Sequence, residues 1–256
     1  MLLTVDIGNT NIVLGVYRGE ELVAHWRLAT MPQKSVDEYG IQIKSIMIND
    51  RIDPLEINGF IISCVVPALQ GTFEEISKRY FNINPLIVGP GIKTGMSILY
   101  DNPREVGADR IVNSVAAFTK YKQALIIVDF GTATTFDCVN TKGEYMGGVI
   151  APGVQISAEA LFLNASKLPR VEIIKPKTVL GKNTIHSMQS GCVYGYVGLV
   201  DGIVQRLRVE MNCPVKVLAT GGLASLIAED STAIESVEPF LTLEGLRILF
   251  SMNQKG

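Results

Sequence analysis

Leu3-Thr4-Val5-Asp6-Ile7-Gly8-Asn9-Thr10 and Ile127-Val128-Asp129-Phe130-Gly131-Thr132-Ala133-Thr134 are the two stretches on which the reading of this chain turns. Each is a short apolar run ending in Asp, then Gly, then Thr. The two aspartates lie 123 positions apart (129 minus 6), close to half of the 256 residues. Repetition at half-chain spacing suggests two related lobes, each offering one carboxylate and one loop of phosphate size. The residue types fit that task. Glycine permits a tight turn and lets backbone N–H groups approach an anion. Thr and Asn add hydrogen bonds to phosphate oxygens. A carboxylate serves a hydrated Mg²⁺, which binds through few carboxylates and keeps several waters. A single copy would read better as an ordinary hairpin turn, because Asp, Gly and Asn fill turns of every kind. Two copies shift the reading to phosphate binding.

The bulk numbers are compatible with two lobes. The chain is long enough for one large domain or two lobes of ordinary size. It is 47% hydrophobic and 19% charged, a balance that suits strands buried on both faces. The net charge is −2, and no basic run with interleaved aromatics is present. General nucleic-acid binding is therefore not expected. Cys64, Cys138, Cys192 and Cys213 have no metal-ligand spacing and sit among apolar or small residues. They read as reduced thiols in a cytoplasmic protein. With His25 and His186 as the only histidines, a His-based zinc site is not expected either. Asp6 comes too early for a signal peptide. Long uncharged stretches such as Ile57–Phe73 and Tyr145–Ala158 are interrupted by small and polar residues and do not read as membrane spans.

Patterning predicts strands at 2–6, 12–17 and 22–28, then a helix over 35–49 with Ser35 as N-cap. A strand at 59–66, a helix at 67–80 with Pro67 in its first turn, and a short strand at 86–88 follow. Residues 90–104 are rich in Gly, Pro, Asn and Asp and read as a loop joining the lobes. A helix is expected from Glu105 or Gly107 to Tyr121. The second half repeats the opening with strands at 124–129, 134–140 and 144–150, and Pro152-Gly153 precedes a helix running through Leu163. After a loop at 167–182 come a long helix at 184–211, a strand at 215–219, a helix opened by Gly221-Gly222 and a closing helix at 242–252. Three hairpin-linked strands followed by strand–helix alternation predict a mixed sheet in each half. The lobes are expected at 1–104 and 105–256, with a nucleotide triphosphate in the cleft they share.

Local motifs outside the two turns are open to more than one reading. Gly107-Ala108-Asp109-Arg110 opens a predicted helix, where Arg binds carboxylates and Asp accepts a proton from a hydroxyl. The same four residues serve equally as a helix start with a favourable acidic residue and a solvated Arg. Gly147-Gly148-Val-Ile-Ala-Pro152-Gly153 reads as backbone passing close to something, whether ligand or neighbouring strand. In Gly181-Lys182-Asn183-Thr184, with Ser187 and Ser190-Gly191, the local reading favours Thr184 as a helix cap. Thr220-Gly221-Gly222 suits a base or ribose, and equally a left-handed turn.

Together, in order along nearly the whole chain, these motifs resemble those of the type III pantothenate kinases. That family lies within the acetate kinase, sugar kinase, Hsp70 and actin superfamily. The resemblance is carried by Asp6 to Asn11, Tyr100 with Asn102-Pro103, Gly107 to Arg110, Asp129 to Thr132, Gly147 to Gly153, Leu168-Pro169, Gly181 to Gly191, and Thr220 to Gly222. It implies an actin-like ATPase fold of two ribonuclease H-like α/β lobes, each a mixed sheet with helices on both faces. It also implies ATP-dependent phosphorylation of pantothenate, the first step toward coenzyme A. Asp6, Ile7, Gly8, Asn9, Thr10, Asn11, Ile12, Val13 and Thr132 would then contact ATP. Tyr100, Gly107, Ala108, Asp109 and Arg110 would line the pantothenate pocket, with Asp109 as general base. Asp129 would hold a monovalent cation, K⁺ or NH₄⁺, and Asp6 would face the Mg²⁺ that accompanies ATP. Thr184 would reach pantothenate from the partner subunit of a homodimer.

Two competing readings exist. Another small-molecule kinase of the same superfamily is opposed by the 107–110 and 181–191 segments. A nucleotide-binding transcriptional accessory protein is opposed by the retention of Asp6, Asp109 and Asp129 and by the lack of a basic DNA-reading element.

Overall fold

The computed structural model describes residues 1–254. Its elements are β1 (Leu2–Ile7), β2 (Asn11–Arg18), β3 (Glu21–Ala29), α1 (Val36–Asn49), β4 (Gly59–Cys64), α2 (Pro67–Phe81), β5 (Leu86–Ile87) and α3 (Ala108–Tyr121). They continue with β6 (Leu125–Phe130), β7 (Ala133–Val139), β8 (Tyr145–Pro152), α4 (Val154–Asn164), α5 (Thr184–Met211), β9 (Lys216–Gly221), α6 (Ala224–Ala228), β10 (Ser236–Val237) and α7 (Leu241–Gln254). Short 3₁₀ turns at Pro54–Glu56 and Pro103–Glu105 interrupt the loops.

The chain forms two compact units. The first comprises residues 1–95, 102–116 and, to the last described residue, 241–254, and the second residues 96–101 and 117–240. The first unit holds a five-stranded sheet in the order β3-β2-β1-β4-β5, and the second holds β8-β7-β6-β9-β10. The duplication read from the two Asp-x-Gly segments extends to the pairing. In each sheet the first three strands are antiparallel neighbours, and the central strand runs parallel to the fourth. The two-residue strand β10 closes the second sheet as β5 closes the first. It is too short to carry any periodicity and was not foreseen.

Burial explains why these segments are strands. β1 and β6 are buried at every position except their aspartates, Asp6 and Asp129. Such runs, apolar on both faces, are the signature of central strands with parallel neighbours. On one face of the first sheet, Leu3, Val5, Ile7, Phe60 and Ile62 pack on Tyr39, Ile43 and Met47 of α1 and on Leu69, Phe73 and Ile76 of α2. The opposite face meets α7, which contacts β1, β2 and β4. In the second sheet Ile126, Val128, Phe130, Phe136, Val217 and Ala219 pack on Val154 and Ala158 of α4 and on Val193, Val200 and Val204 of α5.

The predicted cap of α1 is present in full. The Ser35 hydroxyl accepts from the Glu38 N–H, while the Glu38 carboxylate accepts from the Ser35 N–H at 2.8 Å. Two backbone donors that the helix cannot satisfy are thereby paired.

Candidate functional site

Both aspartates sit at the carboxyl ends of central parallel strands, half-buried, where open α/β sheets bind ligands. Asp6 lies in register with Val13 and Ser63, and Asp129 with Thr135 and Thr220. The turn after β1 closes with Gly8 N–H donating to the Asn11 carbonyl at 3.0 Å. Thr30, just past β3, supports it: its hydroxyl donates to the Gly8 carbonyl at 2.6 Å and its N–H to the Thr10 carbonyl at 3.0 Å. Asn9 and Thr10 are exposed at the tip, whereas the side chains of Ile7 and Ile12 are fully buried. From those two isoleucines only main-chain groups can face a ligand.

The turn after β6 is one residue shorter. Four residues separate the paired Ile7 and Ile12, and three separate Phe130 and Thr134. Gly131 N–H donates to the Ala133 carbonyl at 3.0 Å, and Gly222 N–H to the Phe130 carbonyl at 3.2 Å. Thr132 is exposed. Gly153, N-cap of α4, lies directly against this turn: a Cβ there would stand 2.1 Å from the Thr132 carbonyl oxygen. The start of α4 is itself held by α5, since the Tyr196 hydroxyl donates to the Pro152 carbonyl at 2.8 Å and meets the Ser157 hydroxyl at 2.6 Å.

Asp109 occupies the first turn of α3, in the same unit as Asp6. Burial pushes its carboxyl above the ordinary Asp range, opposed by the N–H and guanidinium of Arg110. The Arg110 N–H donates to Asp109 Oδ1 at 2.9 Å. A raised pKa makes a carboxylate a better proton acceptor. Arg110 itself is buried, which distinguishes it from the solvated Arg of the alternative reading. Deeper in α3, Asn113 Oδ1 accepts from the Thr242 hydroxyl of α7 at 2.7 Å, fixing the helix in the first unit.

Tyr100 belongs to the second unit, its ring 6.4 Å from that of Tyr145 and tilted by 54°. No close approach is made at Gly147: a Cβ there would stand 3.6 Å from this ring, an ordinary contact, and its φ of +126° accounts for the glycine. Thr184 does not cap α5. Asn183 does, its side-chain oxygen accepting from the His186 N–H at 2.9 Å. The residue before the first helical one is the one whose geometry permits capping, and that residue is Asn183. Thr184 is left exposed and lines a cavity of about 410 Å³ with Ser157, Leu161, Leu168, Ser187, Met188, Gly191, Cys192 and Tyr196. Ser190 is used structurally, donating to the Val179 carbonyl at 2.5 Å and tying the 167–182 loop to α5. At Gly221 the φ of +94° and the nearness of Asp129 Oδ1, 2.6 Å from where a Cβ would stand, account for the glycine without a nucleotide.

Among the described residues no cluster of three or more His, Cys, Asp or Glu could cage a metal ion. The donor set is instead single carboxylates at strand ends, which fits a magnesium ion arriving with its own phosphate ligands and waters. Sequence reasoning passed over Asp137 and Tyr145, both fully buried. The available signal was a charged residue inside the buried strand predicted at 134–140.

A family model described as type III pantothenate kinase matches residues 2–206. A type III pantothenate kinase of Myxococcus xanthus is 58% identical over 253 residues, 99% of each chain. Another, of Geotalea daltonii, is 61% identical over 255 residues, the full length of both. Among solved structures, MreB 5 of Spiroplasma citri bound to AMPPNP aligns with a TM-score of 0.55 at 10% identity, covering 99% of this chain and 97% of that one. An inorganic polyphosphate/ATP-glucomannokinase from Arthrobacter aligns at 0.51 and 10% identity, covering 98% of both chains. The structural likenesses establish an actin-like, sugar-kinase-like fold.

Proposed function

The chain belongs to the type III pantothenate kinase family, and on that footing we propose that Asp109 is the base that takes the proton from the pantothenate hydroxyl. The reaction is transfer of the γ-phosphoryl group of ATP to pantothenate, in coenzyme A synthesis. The observation that carries the assignment is a half-buried carboxylate, made more basic by burial, at the start of α3 beside Arg110.

Phosphoryl transfer needs placement and charge neutralisation more than covalent chemistry by the protein. An alkanol is a weak nucleophile at neutral pH. Asp109 orients it and accepts its proton as the new oxygen–phosphorus bond forms. Arg110, with Tyr100, Gly107 and Ala108, holds the pantothenate, whose carboxylate suits a guanidinium. Residues 6–13 and Thr132 contact ATP, with exposed Asn9, Thr10 and Thr132 donating to phosphate oxygens. Asp6 faces the water shell of Mg²⁺. Asp129 takes K⁺ or NH₄⁺, which screens its charge from the nucleotide.

The active species is a homodimer in which Thr184 serves the partner's substrate. Support comes from apolar surface in the second unit. Ile156, Leu161 and Leu163 of α4, Leu180 and Ile185 are all exposed, apolar side chains of the kind that association buries. The enzyme works in the cytoplasm. Its four cysteines are free thiols, as expected in a reducing compartment. No helix among the described residues is long and apolar enough to cross a membrane.

The test is Asp109→Asn, which keeps shape but removes proton acceptance. kcat should fall by about 10²-fold or more. The base acts only when deprotonated, so parent activity is lost as pH falls through its raised pKa. The acidic limb should therefore lie above the pH of about 3.9 typical of Asp. The Asn variant should lack that limb. Near-normal turnover with the limb intact would reduce Asp109 to a helix-start residue.

A further inference from the structure

The ladder between β7 and β8 contains one irregularity. Asp137 pairs with Gly148 and Cys138 with Gly147, but Val139 pairs with Tyr145. Met146 is the extra residue of a β-bulge. In a regular ladder Tyr145 would fall on the face of Cys138, because side chains alternate along a strand. The bulge moves it to the face shared by Val139 and Asp137. Gly147 supplies the backbone this requires, at φ +126°.

The result is a buried polar pair. The Tyr145 hydroxyl donates to Asp137 Oδ1 at 2.8 Å, and the Thr135 hydroxyl donates to Oδ2 at 3.3 Å. Tyr145 also uses its main chain. Its N–H donates to the Ser97 carbonyl and its carbonyl accepts from the Leu99 N–H, both at 2.8 Å, in a parallel bridge with Ile98. The next residue, Tyr100, lies over Gly147, where a Cβ would stand 3.6 Å from its ring. Residues 97–100 thus come from a stretch rich in Gly and Pro, yet are docked on β8 at one residue.

Apolar side chains would fill positions 137 and 145 without burying a carboxylate, and such replacements are often neutral for stability. What the pair adds is a single placement for Tyr145 and, through its backbone, for the segment that ends at Tyr100. We propose that Asp137 and Tyr145 are positioning residues for the acceptor substrate, acting through Tyr100. The inference rests on the reading of Tyr100 as part of the pantothenate pocket.

Tyr145→Phe keeps the ring and removes the hydroxyl. In the full-length enzyme the KM for pantothenate should rise about tenfold, the worth of one hydrogen bond, while the KM for ATP stays within about twofold. Asp137→Asn keeps one acceptor oxygen for Tyr145. It should hold the pantothenate KM within about threefold of the parent. A tenfold rise from Asn would mean the charge itself matters, and would overturn the assignment. In a Tyr100→Leu background, Tyr145→Phe should leave the pantothenate KM unchanged, because both changes act through one ring. Independent, multiplicative effects would sink the proposal, and so would equal rises in both KM values. Tyr100→Leu alone separates the two levels. If it leaves the pantothenate KM at the parent value, the pocket reading of Tyr100 fails and this inference with it. If it raises that KM and Tyr145→Phe does not, only the inference fails.

Discussion

Replacing Gly153 by Ala tests whether the second turn holds phosphate, because the structure isolates a single steric cause. The residue sits at φ −73° and ψ 157°, which alanine adopts freely, so no backbone strain enters. The added Cβ would lie 2.1 Å from the Thr132 carbonyl oxygen and 2.8 Å from both the Gly131 carbonyl oxygen and the Thr132 carbonyl carbon. Real Cβ contacts stop at 3.0 Å, so helix start and turn must part by about 0.9 Å (3.0 minus 2.1), and all the obstructing atoms are backbone. Overpacking of this kind costs roughly 1–3 kcal/mol. In a chain of this length that lowers Tm by roughly 2–12 °C. The functional effect should be larger in proportion, because misplacing a reacting group by about 1 Å can cost about 10²-fold. The assay is steady-state kinetics with each substrate varied, alongside calorimetric unfolding. Gly71→Ala in α2 is the control: nothing lies within 4 Å of its Cβ position, and it should gain about 0.5–1 kcal/mol. A Gly153→Ala enzyme with lowered Tm but the parent kcat/KM for ATP would refute a phosphate role for Gly131-Thr132.

Two further outcomes are expected. Asp129→Asn should flatten the response of activity to K⁺ and NH₄⁺, titrated with Na⁺ holding ionic strength constant; full activity of the parent in Na⁺ alone would remove the monovalent-cation role. Mixed dimers of Asp109→Asn and Thr184→Val chains, verified by co-purification of two tags, should regain part of the lost activity, since one site then carries both lesions and the other none. Verified mixed dimers with no recovery would place both residues in one subunit's site.

The local pattern and the tertiary structure divided the site between them in a way that individual residues make plain. The Asp-x-Gly turns were legible because their requirements are local: a buried strand, a carboxylate at its end, and a glycine where the chain reverses. Ser35 was legible as a cap because Glu38 stands three residues on. Thr184 was misread as a cap because Asn183 and Thr184 are both good capping types. Choosing between them depends on where helical geometry begins, which a sequence locates only to within a residue or two.

The sequence by itself determined the duplication, the order of the longer strands and helices and the family, since each is written in periodicity or in motifs that need only neighbouring residues; the two-residue strand β10 lay below that reach. Tertiary structure alone decided what surrounds those motifs. Burial makes Asp109 more basic, and burial is a property of chain segments far apart in sequence. Gly153 meets Thr132 across 21 positions, and Thr30 supports Gly8 across 22. The bulge at Met146 exists only in the pairing of two strands, and it alone turns Tyr145 toward Asp137. A one-residue shift in register reverses every side chain beyond it, and register is set by the packed sheet rather than by either strand.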